Sequence, residues 1–193
     1  MGLLGGGLRW SRVGIETDRL TLRLPRRTDL AALDAAISET LDELVEWLPW
    51  AHAAHSRADS KQYLRHTRIT YRERSAVEVA LCSRDDGQLV GMASLHRIDW
   101  QRASAGVGYW VRRTRWGKGY ATEGAGALVA YGLRELDLHR LEAHVATSNF
   151  ASQRVVEKIG FHREGVARGI EQINGRYLDH IQYSRLRDDP TGR

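Results

Sequence analysis

Residues 15–24 alternate, with Leu20, Leu22 and Leu24 set between Thr21 and Arg23, the pattern of a half-buried strand. Pro25 ends it, and Thr28 is placed to cap a helix beginning at Asp29, with Leu30, Leu33, Ala36 and Ile37 as its apolar stripe. A short helix over 41–48 stops at Pro49, and Asp59 or Ser60 is the expected cap of a third, running to Arg74 with Tyr63, Leu64, Thr67 and Tyr71 on one side. From Ala76 the period changes to two. Strands are predicted at 77–81, 89–98 and 104–111, the first two joined at Asp86-Gly87, and Gly106 and Gly108 in the third mark a bulge or a close backbone approach. A helix to about Leu136, a strand over 141–146 and a helix over 149–159 follow. Residues 161–173 and 176–186 form a hairpin around Asn174-Gly175. The order of elements predicts one mixed α/β domain over 15–187, with a flexible leader at 1–14 and a tail at 188–193.

The chain has 193 residues, enough for one domain with its own core. A net charge of +5 favours polyanionic company: a phosphorylated cofactor, acidic substrates or RNA. The single cysteine, Cys82, rules out an intrachain disulfide framework and fits a cytoplasmic protein, with Cys82 itself read as core. No apolar run reaches the ~18 residues of a membrane span. His52 and His55 lack further ligands at zinc spacing, so no metal is expected.

The chemistry concentrates in Trp110 to Thr122, WVRRTRWGKGYAT. A strand end runs into a basic turn, a glycine pair (Gly117, Gly119) and a helix. Unpaired N–H groups at a helix start, with the macrodipole behind them, suit phosphate. The spacing is not that of a P-loop, and Thr122 stands where a dinucleotide fingerprint needs its third glycine. By itself the turn is a weak signal, and close helix packing is the plainer reading.

The stretch resembles motif A of the GNAT superfamily of acyl-CoA-dependent N-acetyltransferases, Gln/Arg-x-x-Gly-x-Gly/Ala. Val111 matches the preceding strand residue, Gly119 the central glycine and Ala121 the last small residue, while Trp116 replaces the Gln or Arg. Residues 147–161, from Thr147-Ser148-Asn149 to Gly160-Phe161, resemble motif B. With WGKGYATEG, the chain looks most like the branch that acetylates N-termini of ribosomal proteins. The resemblance implies a mixed, mostly antiparallel sheet, splayed between the strand ending at Val111 and the strand over 141–146. Pantetheine would pair with the backbone of Trp110 and Val111. Pyrophosphate would sit on the loop of Trp116, Gly117, Lys118, Gly119, Tyr120, Ala121 and Thr122, and Asn149 would reach the pantetheine amides, unless it serves only as a helix cap.

The implied reaction is direct attack of an amine on acetyl-CoA, the Val111 N–H holding the charge that develops on oxygen. Glu171 is the favoured base, by resemblance to a hairpin glutamate of that branch, with Asp179, Glu123 and water as rivals. The tyrosine many members use as acid is Val156 here; Ser152 matches the serine that replaces it. Trp47, Pro49 and Trp50 either wall the acceptor side or pack in the core. The acceptor is expected to be a protein N-terminus. A small amine, or a non-catalytic acyl-CoA-binding module, is the alternative. Neither a membrane nor sequence-specific nucleic acid is expected as partner, and a homodimer stays open.

Overall fold

The computed structural model describes residues 13–190. Residues 1–12 of the expected leader and 191–193 of the expected tail lie outside that range. Val13, within the expected leader, is buried in the main core, and Gly14 opens the first strand.

Eight strands form one sheet: β1 (Gly14–Glu16), β2 (Leu20–Arg23), β3 (Val77–Ser83), β4 (Leu89–Asp99), β5 (Ser104–Val111), β6 (Arg140–Ala146), β7 (His162–Ile173) and β8 (Arg176–Leu186). Their order is β1-β2-β3-β4-β5-β6-β8-β7, antiparallel throughout except for β5 and β6. Five α-helices cover it: α1 (Leu30–Glu39), α2 (Leu41–Trp47), α3 (Arg57–Arg72), α4 (Tyr120–Arg134) and α5 (Phe150–Lys158). None is long and apolar enough to cross a membrane among the described residues.

Period two sorts the strand residues onto two cores. Val79, Leu81, Leu95, Val107, Leu141 and Tyr183 face α4 and α5, whereas Ala80, Cys82, Met92 and Trp110 face α1, α2 and α3. β3 is buried at every position because helices cover both its faces. Gly124 and Gly132 let α4 settle closely on the sheet: a Cβ at either would stand 2.8 Å from Leu81 or Leu95 methyls.

Several predicted boundaries shift for identifiable reasons. The strand over 15–24 is two strands, because Thr17 turns the chain by donating through its N–H to the Leu20 carbonyl at 2.9 Å. Thr28 caps nothing; it lies in a 3-10 turn, Arg27–Asp29, in which the Asp29 carboxylate accepts from the Arg26 N–H at 2.7 Å. Ser56, not Asp59 or Ser60, caps α3, and Asp59 closes the capping box from its third position. Gly106 and Gly108 carry no bulge, since β5 pairs regularly with β4 from Val111 to Gly106. Close approach explains them: a Cβ at Gly106 would stand 2.4 Å from His96 Nε2, and one at Gly108 would stand 3.0 Å from Ser94 Oγ.

The splay does exist. β5 and β6 pair only at Ser104, Ala105 and Gly106 against Arg140, Leu141 and Glu142. Beyond Gly106 the two parallel strands part, leaving a gap that widens toward Val111 on one side and Ala146 on the other.

Candidate active site

The gap exposes one edge of β5. Arg112 N–H donates to the Val90 carbonyl at 2.8 Å, so the ladder alternation turns the backbones of Arg112, Trp110 and Gly108 toward β4. Those of Tyr109 and Val111 therefore face the gap. Trp110 is thereby engaged by β4, and its indole lies in the helix-covered core, 6.4 Å from Trp50 between ring centroids. The strand groups open to a ligand belong to Tyr109 and Val111. The Val111 carbonyl already accepts from Trp116 Nε1 at 2.6 Å, which leaves its N–H.

Beyond Val111 the chain reaches the glycine turn. Gly117 and Gly119 have φ of +71° and +79°, a left-handed backbone that other residues rarely adopt. The first helical hydrogen bond of α4 runs from Glu123 N–H to the Gly119 carbonyl at 3.0 Å. The amides of Tyr120, Ala121 and Thr122 thus project from the start of the helix without an intrahelical acceptor. Nothing stands within 4 Å of a Cβ built at Gly117, so the cradle is open. Its orphan N–H groups suit a pyrophosphate.

The basic side chains of the turn are engaged elsewhere. Arg112 pairs with Glu39, Arg113 with Glu43 at 2.6 Å and Arg115 with Asp86, docking the turn on α1, α2 and the β3–β4 connection. The Arg112 hydrogen bond holds the Glu39 carboxyl down to about 2. Of the cations near the turn, Lys118 is exposed and reaches the Thr114 carbonyl only at 3.4 Å. Trp116 is half-exposed, and its indole braces the strand end.

Arg19 and Glu123 form a clamp that sequence reasoning missed in this role. Glu123 accepts from Thr17 Oγ1 at 2.6 Å, Arg19 N–H at 2.9 Å and Arg19 Nε at 2.7 Å. Arg19 also donates to the Lys118 carbonyl at 2.8 Å and stacks over the Tyr120 ring at 4.7 Å. Burial opposes the Glu123 charge, but hydrogen bonds from Thr17 and Arg19 still lower its pKa. A carboxylate held this way pins the turn and makes a poor base.

Across the gap, Asn149 caps α5 with its Oδ1, accepting from Ser152 N–H at 3.0 Å. Its Nδ2 amide remains able to donate to a ligand. Ser152 Oγ lies 2.9 Å from the Tyr109 hydroxyl, which also donates to the Ser152 carbonyl at 3.1 Å. A tyrosine from β5 therefore meets Ser152 across the gap, while Val156 is fully buried. Burial raises the Tyr109 phenol to about 12, although the Ser152 hydrogen bond opposes it. Strand periodicity gives no sign of this contact, because it joins residues 43 apart.

The β7–β8 hairpin leans onto α2, with Asn174 Nδ2 donating to the Val45 carbonyl at 2.7 Å. Glu171, half-buried on β7, pairs with Leu178 and shares a face with His180. Asp179 is occupied at the neighbouring irregularity: its Oδ1 accepts from Gly169 N–H at 2.8 Å, where φ is +57°. Trp50 is partly exposed and stacks on Tyr63 at 5.6 Å, so it belongs to both the core and a wall.

A family model described as "Acetyltransferase (GNAT) domain" matches residues 19–162, most of the chain. The chain belongs to the GNAT acetyltransferases. It is 32% identical over 176 residues to Bacillus subtilis YdaF, provisionally named a ribosomal N-acetyltransferase, covering 91% of this chain and 95% of the relative. Against the Escherichia coli [Ribosomal protein uS5]-alanine N-acetyltransferase it is 27% identical over 174 residues, covering 88% and 89%. Among solved structures, RimL, a ribosomal L7/L12 alpha-N-protein acetyltransferase in complex with coenzyme A, superposes with a TM-score of 0.84 at 22% identity, covering 90% of this chain and 98% of its own. That last likeness speaks for the fold. This GNAT chain is an acetyl-CoA-dependent N-acetyltransferase.

Proposed function

We propose that this acetyltransferase modifies the N-terminal α-amine of a protein, of the ribosomal-protein type. The observation that carries the reading is the β7–β8 hairpin docked on α2 by the Asn174–Val45 hydrogen bond, with Glu171 half-buried on β7. Relatives named for ribosomal-protein acetylation over nearly their whole length support it.

Acetyl-CoA would be held by its pyrophosphate on the amides of Gly117, Gly119, Ala121 and Thr122, with Lys118 beside them. The pantetheine would lie in the gap against Tyr109 and Val111, reached by Asn149 Nδ2. An ammonium cannot attack, so Glu171 would take its proton. As the nitrogen bonds to the acetyl carbon, charge develops on the carbonyl oxygen, and the Val111 N–H would donate to it. The departing thiolate would take its proton through Ser152, backed by the Tyr109 hydroxyl at 2.9 Å.

The test is thiol release from acetyl-CoA with peptides bearing free or blocked N-termini, beside a panel of polyamines and aminoglycosides, with product mass locating the acetyl group. Turnover confined to free peptide N-termini is expected. Turnover confined to small amines overturns the acceptor assignment.

A further inference from the structure

Arg57, Lys61, Arg65, Arg68 and Arg72 follow one another along α3, each one helical turn from the next. At about 100° per residue they fall within an arc of about 80°, a single stripe about 22 Å long. All five are exposed, and none has a hydrogen-bond or ion-pair partner among the described residues. Arginines elsewhere on the surface are met by carboxylates: Arg113 by Glu43, Arg140 by Glu164 and Arg187 by Asp137, each at 2.6 Å. The one acid of α3, Asp59, is committed to the helix cap, where it accepts from Ser56 N–H at 2.9 Å and from Ser56 Oγ at 2.7 Å. Like charges one turn apart weaken a helix, and Arg57 in the first turn also opposes the macrodipole. Interleaved acids would keep the face solvated and stabilise the helix, so solvation alone does not account for the pattern.

The surroundings add to the charge. Lys61, Arg65, Arg68 and Arg72 line an open cavity of about 1230 Å³, where Arg27 and His66 are further basic groups and Asp59 is the only carboxylate. Trp50, partly exposed, offers an aromatic face in the same cavity. α3 packs on the core it shares with α1 and α2, and no residue of the glycine turn lines this cavity. The stripe is thus separate from the proposed donor site.

We propose that α3 is a docking surface for the phosphodiester backbone of a nucleic acid, held without regard to sequence. The inference goes beyond acetyl transfer and does not depend on the acceptor. Four of the five cations are arginines, whose planar forks match pairs of phosphate oxygens. A nucleic-acid strand carries one charge per nucleotide at regular intervals, and cations repeated turn by turn along a rigid rod can follow it. Contacts to phosphate carry no sequence information. A basic track beside an exposed aromatic ring is the arrangement that holds single strands. A lipid surface would need an apolar face flanking the charges, and Ile69 is the one exposed large apolar side chain of α3.

The test is fluorescence anisotropy of the full chain with labelled RNA and DNA oligonucleotides of one sequence, titrated with salt. Five phosphate contacts on a single strand predict a slope of log K on log salt of about −3.5. Arg65→Gln combined with Arg68→Gln should lower affinity about tenfold and reduce the slope by about 1.4. Glutamine is a good helix former, so the Tm should not fall. If it does fall, Lys61→Gln with Arg72→Gln takes the place of that pair. Arg97→Gln with Arg102→Gln removes the same charge from exposed positions near the β4–β5 turn and should change affinity by less than about twofold. An equal loss in this control would reduce the effect to net charge and overturn the stripe. Absence of salt-dependent binding overturns it too, as does displacement of the oligonucleotide by coenzyme A, which would move binding to the glycine turn. Tighter binding to polyglutamate, or to vesicles of anionic phospholipid, than to either oligonucleotide would give the surface to another partner and sink the proposal. Equal affinity for RNA and DNA supports recognition of phosphate alone, and a preference for either names the source of the strand.

Discussion

The glycine turn and the β7–β8 hairpin, the proposed donor and acceptor sides, are built differently. On the donor side the side-chain charges are largely paired: Arg19 with Glu123, Arg112 with Glu39, Arg113 with Glu43, Arg115 with Asp86. What remains for a ligand is mostly backbone, the amides from Gly117 to Thr122 and the N–H of Val111, with the exposed Lys118 beside them. On the acceptor side the backbone is consumed by pairing within β6, β8 and β7, and the groups left over are side chains, Glu171 and the unpaired His180. A surface of fixed amides recognises one invariant anion, whereas titratable side chains handle protons. The difference predicts that the two sides will fail in different ways.

The sharpest break is expected on the donor side. Gly119→Glu forces a side chain onto a φ of +79° and adds a carboxylate where the amides converge. Acetyl-CoA affinity should fall about 100-fold or more by calorimetry, with circular dichroism showing the fold retained. Undiminished affinity would remove the turn from the donor site. Glu171→Gln should do the converse, lowering kcat about tenfold or more while CoA binding stays intact. Its effect should be largest at low pH, where free amine is scarce. A wild-type pH–rate profile would pass the role to water.

The glycine turn was legible in the sequence and the surroundings of the β7–β8 hairpin only partly so, for a physical reason. A glycine turn leaves a mark in the chain, because few residues tolerate positive φ, and the motif around Gly119 and Ala121 carries it at fixed spacing. The splay came from the resemblance and not from strand periodicity, and of the two readings of Gly106 and Gly108, a bulge or a close approach, the second holds, against His96 and Ser94. Long-range side-chain meetings leave no local mark. Arg19 and Glu123 are 104 residues apart, and Tyr109 and Ser152 are 43 apart. Neither pair has a spacing that period or capping rules could detect. His180 looked like one of eight scattered histidines until β6 and β7 closed around it.

Tyr109→Phe tests one such hidden meeting and should have a smaller effect. Removing the hydroxyl takes a partner from Ser152 without disturbing the glycine turn, so kcat should drop about three- to tenfold with acetyl-CoA affinity nearly unchanged. Ser152→Ala should lower kcat similarly, and the double variant should lose little more than either alone if the two hydroxyls act as a unit. Additive losses would show two separate roles. No loss in either variant would hand protonation of the thiolate to solvent.

The smallest effect should fall on the paired charges that shape the donor turn. Glu39 accepts from Arg112 Nε at 2.9 Å and from Thr114 N–H at 2.8 Å, and both its carboxyl and the Arg112 guanidinium are mostly buried. Glu39→Gln weakens these charge-assisted bonds and should cost about 1–2 kcal/mol, a Tm fall of about 2–8 °C at neutral pH. The sign of the pH dependence follows from the direction of the shift. The folded carboxyl titrates near 2, below its ordinary value of 4.5, so its stabilisation is fully present above 4.5 and is lost as pH falls toward 2. The wild-type and Glu39→Gln melting curves should therefore separate at pH 7 and converge by about pH 2–3. A gap that persists at pH 2 would mean that Glu39 supports the turn by packing, and the donor side would then owe its shape to something other than paired charge.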